Sequence, residues 1–125
     1  MSTPKRNALI LAGLGLLALA GQAWSQGAAP AGQALFEDRC ADCHRVSGEG
    51  LPPTFPPLNG SALVQGDPAK VIDTVLNGRK GLSTMPAWKD ILSDQEVAAI
   101  LTYVRSAWGN RAGAVTAEQV AARRK

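Results

Sequence analysis

The chemistry of this chain is concentrated in Cys40-Ala41-Asp42-Cys43-His44. The sequence holds two cysteines and one histidine, and all of them lie in this run. C-x-x-C-H is the spacing of c-type haem attachment. Two thiols on one helical turn can add to the two vinyl groups along one porphyrin edge, and the histidine that follows can bind the iron through an imidazole nitrogen. Two other chemistries use paired cysteines. A thioredoxin-like redox pair belongs to a βαβ context, and no strand-like run precedes Cys40. A tetrahedral zinc site needs about four ligands, commonly from a second Cys or His pair, and the chain has no such pair.

An iron held by one imidazole has a sixth position, which electron carriers fill with a second histidine or a methionine. There is no second histidine, and the methionines are Met1 and Met85. Met1 belongs to an N-terminal segment expected to be removed, so Met85 is the expected second axial ligand. It lies in Ser83-Thr84-Met85-Pro86-Ala87-Trp88, where Pro86 stiffens the chain behind the sulfur. Thioether ligation raises the reduction potential relative to nitrogen ligation and keeps small ligands off the metal. The chemistry left is one-electron transfer, with no catalytic residues and no small-molecule substrate. A labile sixth position would instead suit a peroxidase-like enzyme or a gas-binding sensor.

The N-terminus reads as a secretory signal over residues 1–25. Lys5 and Arg6 form a positive region, Ala8 to Ala20 is apolar, and Ala23 and Ser25 offer small residues for cleavage. The apolar run is shorter than the roughly 18–20 residues that span a bilayer, so no lasting membrane span is expected and the mature protein is placed in the periplasm. About 100 residues then remain, few for an unaided hydrophobic core. A covalently held haem would supply an apolar plate to pack against. Attachment in a compartment that favours disulfides requires machinery that keeps both thiols reduced. The net charge is +3, of which Lys5 and Arg6 contribute two. Nothing in it suggests nucleic acid binding, and Arg123-Arg124-Lys125 reads as a solvated basic end.

Stepping along the mature chain, residues 26–31 are rich in Gly, Ala and Pro and read as a flexible leader. Gly32, Phe36 and Cys40 share one helical face, which predicts a helix ending near Cys40. Ser47 to Gly60 is broken by Pro52-Pro53, Pro56-Pro57 and glycines. Asp67-Pro68 is a helix start, followed by the stripe Val71, Ile72, Val75 and Leu76, and Asn77-Gly78 is a stop. Ser93-Asp94-Gln95-Glu96 is a capping box opening a helix expected to reach Trp108. Thr116 to Arg123 suggests one more short helix in a C-terminal tail, residues 111–125. No alternation of period two persists, so the fold class is all-α.

Taken together, residues 32–110 resemble a small bacterial monohaem class I cytochrome c. The likeness lies in Gly32-x-x-x-Phe36-x-x-x-Cys40, in Phe55-Pro56-Pro57-Leu58-Asn59-Gly60, and in Met85-Pro86-Ala87-Trp88 with Leu92-Ser93-Asp94-Gln95-Glu96 and Tyr103-Val104-Arg105. The resemblance implies a cytochrome c fold: three main helices and loops wrapped around one covalently attached haem c. The first and last main helices would cross, setting Gly32 and Phe36 against Ile100 and Tyr103. It implies that a proline carbonyl accepts a hydrogen bond from the ligating imidazole, here Pro56 or alternatively Pro57, although Phe55 stands where the family usually has glycine. It further implies Trp88 and Arg79 (or Lys80) beside a haem propionate, and Phe55, Leu58, Leu63, Val71, Val75, Leu82 and Leu92 as pocket walls. Its partners would be a redox donor and a redox acceptor, such as a dehydrogenase and a terminal oxidase or reductase, docking weakly on an apolar rim.

Overall fold

The computed structural model describes residues 28–124, so the signal segment 1–25 and the start of the leader lie outside the described residues. Six helices follow in order: α1 (Ala28–Arg39), α2 (Ala41–His44), α3 (Ala62–Gln65), α4 (Pro68–Asn77), α5 (Asp94–Val104) and α6 (Ala117–Ala121). Among the described residues the only strand-like pairings are isolated bridges, Leu51 with Phe55 and Arg79 with Met85.

Local signals set most of the boundaries. The Asp67 carboxylate accepts the Ala69 N–H at 2.9 Å, and Pro68 occupies a position where a missing N–H costs nothing. At α5, Ser93 Oγ accepts the Glu96 N–H while the Glu96 carboxylate accepts the Ser93 N–H at 2.8 Å. Thr116 and Gln119 repeat the device at α6.

The core is built where α1 crosses α5. Gly32 makes the crossing possible: a β-carbon there would lie 2.0 Å from the Ala99 carbonyl oxygen and 3.1 Å from Cβ of Tyr103. The glycine therefore meets Ala99 and Tyr103. One turn on, Phe36 is fully buried, its ring 5.7 Å from Tyr103 and 5.2 Å from Trp108. α4 adds Val71, Ile72 and Leu76 to the same core, and α5 adds Val97, Ile100, Leu101 and Val104.

Three boundaries differ from the sequence expectation. The first helix begins at Ala28, inside the stretch read as a flexible leader. α5 ends at Val104 instead of running to Trp108. The turn tightens there as the Tyr103 carbonyl accepts the N–H groups of both Ser106 and Ala107, and Trp108 takes a left-handed φ of 53°. Finally, the segment after Arg111 is part of the core. Val115 and Val120 are buried among the other apolar side chains, Arg123 pairs with Asp73, and Arg124 pairs with Asp94. The basic end is thus tied to the fold by ion pairs: Arg123 stays exposed, and Arg124 is partly shielded.

Candidate functional site

α1 delivers the cysteines. The Cys40 N–H still donates to the Phe36 carbonyl at 2.8 Å, and the His44 N–H returns to the Cys40 carbonyl at 3.0 Å, so Cys40, Cys43 and His44 occupy one turn. The thiols are not bridged. Cys43 is exposed, whereas Cys40 is partly buried and packs against the core. Burial, followed by the neighbouring Cys43, pushes the Cys40 thiol up to about 11, which holds it protonated at neutral pH.

His44 Nδ1 is buried and makes no hydrogen bond. Burial lowers the imidazole's pKa, and the Pro56 backbone acts in the opposite direction. Pro56 is thus brought to His44, but no bond of full geometry joins them. A neutral imidazole keeps a nitrogen lone pair free for a metal. The loop behind it is anchored at several points. The Gly50 N–H donates to the His44 carbonyl at 3.0 Å, and the Leu58 and Asn59 N–H groups donate to Gly48. The Trp108 indole N–H donates to the Val46 carbonyl at 2.9 Å. Arg45 sits at φ 62° and ψ 153°, a region costing about 1–3 kcal/mol for a residue with a side chain.

Met85 is held by backbone. Its N–H and carbonyl both pair with Arg79, at 2.9 and 3.0 Å, closing the loop between them. Gly78 enters that loop at φ 73°, and a β-carbon there would lie 2.4 Å from the Met85 carbonyl oxygen. On the far side the Trp88 N–H donates to Val75 and the Lys89 N–H to Leu76. The loop is therefore tied to the C-terminal turn of α4 at both ends. The Trp88 side chain is partly buried against the core. The Arg79 side chain is exposed and forms no ion pair or hydrogen bond among the described residues. Of the expected pocket walls, Val71 and Leu92 are core residues, Leu58 and Val75 pack on the core, and Leu82 is 78% exposed.

Two supporting residues were not legible as such in the sequence. Asn110 is buried, accepts the Gly60 N–H at 2.8 Å, and donates to the Leu58 and Val104 carbonyls. It stitches the proline loop to the end of α5. Arg105 is buried and donates to the carbonyls of Gly113, Val64 and Gly66. The Tyr103-Val104-Arg105 motif pointed at this position without revealing its partners.

A helical domain whose first helix runs into a C-x-x-C-H turn has the architecture of a c-type cytochrome. A family model described as cytochrome c oxidase, cbb3-type, subunit III matches residues 27–104, and the chain belongs to this family of monohaem class I c-type cytochrome domains. It is 35% identical to the cytochrome c subunit of a quinone alcohol dehydrogenase from Gluconobacter oxydans (strain 621H), over 72% of this chain and 21% of that protein. It is 36% identical to the gluconate 2-dehydrogenase cytochrome c subunit of Pantoea cypripedii, over 82% and 26% of the two chains. It is 32% identical to the cbb3-type cytochrome c oxidase subunit CcoP of Azospirillum sp. (strain B510), over 77% and 34%. The chain thus spans between a fifth and about a third of the length of these relatives. The c-type cytochrome XoxG from Methylobacterium extorquens AM1 shares the fold, with a TM-score of 0.55 and 19% identity over 78% of this chain and 67% of that one.

The protein is an electron-transport cytochrome that carries one covalently bound haem c. The residues present fit that group. Two unbridged thiols and a partly buried imidazole, its Nδ1 buried and unpaired, occupy one turn, a donor set suited to thioether attachment and iron ligation. Among the described residues no helix is long and apolar enough to cross a membrane.

Proposed function

We propose that the protein is a periplasmic one-electron carrier, not itself an enzyme, in which Cys40 and Cys43 hold haem c by thioethers and His44 and Met85 are the axial iron ligands. Haem c supplies one reversibly exchanged electron at its iron. The observation that carries the reading is the pairing of a C-x-x-C-H turn with a methionine whose backbone is clasped by Arg79 in a loop tied to α4 at both ends. Pro56 orients His44 and makes its other nitrogen a better donor as the ring settles toward the carbonyl. Trp88 and Arg79 are assigned to the propionate side. The partners are a donor and an acceptor that are themselves redox proteins. The relatives named as dehydrogenase and oxidase subunits support a dehydrogenase as donor and a terminal oxidase or reductase as acceptor.

The test is optical. Purified mature protein should stay coloured through denaturing electrophoresis and show, when ferric, the weak far-red band of sulfur ligation. Met85→Ala should abolish that band and let carbon monoxide bind the ferrous form rapidly. A parent protein that already binds carbon monoxide rapidly would overturn the carrier reading in favour of a ligand-binding one.

A further inference from the structure

The last described residues grip the two elements that hold the Met85 loop. Arg124 donates from Nε to the Asp94 carboxylate, from one terminal nitrogen to the Lys89 carbonyl, and from the other to the Leu92 carbonyl at 2.5 Å. Lys89 to Leu92 is the stretch by which the chain leaves the loop and enters α5. Lys89 is held twice, its N–H by Leu76 and its carbonyl by Arg124. The preceding residue, Arg123, forks onto Asp73 of α4, with Nε 2.7 Å from one carboxylate oxygen. α4 is the helix whose carbonyls receive Trp88 and Lys89. Arg124 and Asp94 are both partly shielded from water, where bonds from a charged donor are strongest.

We propose that Arg124 is a positioning residue for the axial methionine, locking the exit of the Met85 loop so that the sulfur is slow to leave the iron. The proposal rests on Met85 being the ligand. A guanidinium suits the task because its planar fork reaches a carboxylate and two carbonyls together, whereas an ammonium does not.

The experiment is displacement of the sulfur by added imidazole in the ferric holoprotein, followed by loss of the far-red band. Arg124→Ala should speed displacement about tenfold, the effect of losing charge-assisted hydrogen bonds, and Arg124→Lys should fall between. Hydrogen exchange of the Trp88 and Lys89 amides should quicken in Arg124→Ala while that of Val97 stays near the parent's. Val64→Ala, a core substitution at a residue that bonds neither to Arg124 nor to the Met85 loop, serves as a comparison destabilised without loss of the clamp. Its displacement rate should stay within about threefold of the parent's, well short of the tenfold expected for the lost clamp. Parental rates in Arg124→Ala, or an equal acceleration in Val64→Ala, would overturn the proposal. If the parent lacks the band and Met85→Ala leaves the spectrum unchanged, the ligand assignment falls and takes the proposal with it. If the band is present and only the Arg124 comparison fails, the clamp alone is wrong.

Discussion

His44 is followed at once by a residue in a costly conformation. Arg45 has φ 62° and ψ 153°, and its carbonyl accepts the Gly48 N–H at 3.0 Å as the chain turns away from the site. Glycine adopts this region freely, although it is more costly to order from the unfolded chain by about 0.5–1 kcal/mol. The strain is the larger quantity. Arg45→Gly should therefore raise stability by about 1 kcal/mol, read as a higher urea midpoint at unchanged slope. Asn110 works in the other direction. Asn110→Ala would strand the buried Val104 carbonyl and remove part-buried partners from the Gly60 N–H and the Leu58 carbonyl, and should cost about 2 kcal/mol, measured in the same titration.

At the scale of elements, the crossing of α1 and α5 is decided by one missing methyl. Gly32→Ala would gain about 1 kcal/mol of helix propensity, but the new carbon would meet the Ala99 carbonyl at 2.0 Å. Overpacking costs about 3 kcal/mol at such a contact, so a net loss of about 2 kcal/mol is expected in denaturant melts. Gly113→Ala, where nothing lies within 4 Å, should stay close to the parent. Helix starts were legible in the sequence because their causes are local. Asp67-Pro68 and Ser93-x-x-Glu96 each carry their own cap within three residues. The haem turn was legible because its donors are adjacent. The roles of Arg105, Trp108, Asn110 and Arg124 were not, because their partners lie far off in sequence: Val64 for Arg105, Val46 for Trp108, Gly60 for Asn110 and Lys89 for Arg124. Such bonds leave no periodic trace. The early end of α5 has the same origin, since Trp108 abandons helical geometry to reach Val46 and Phe36.

For the molecule as a whole, the segment after Arg111 closes the fold, and one of its ties depends on pH. The hydrogen bond from Arg123, with a smaller contribution from its charge, holds the Asp73 carboxyl below its ordinary value. A carboxylate with a folded pKa lower than its unfolded one adds stability above the unfolded value, about 3.9. That contribution disappears as the pH falls through the folded value. The pair is exposed, so the effect is modest. Thermal midpoints of the parent and Asp73→Asn should differ near pH 7 and converge as the pH drops below about 4. A constant difference across that range would show that Asp73 acts through packing and not through its charge.

The partnership of α1 with α5 also orders events in time. In an unfolded chain Ala99 and Tyr103 are not yet in place to receive Gly32 and Phe36. Until they arrive, Cys40 has no core to sink into and its sulfur stays wet and reachable. Chemistry at the Cys40 sulfur is therefore easiest on an open chain, and folding of α1 onto α5 narrows the way in.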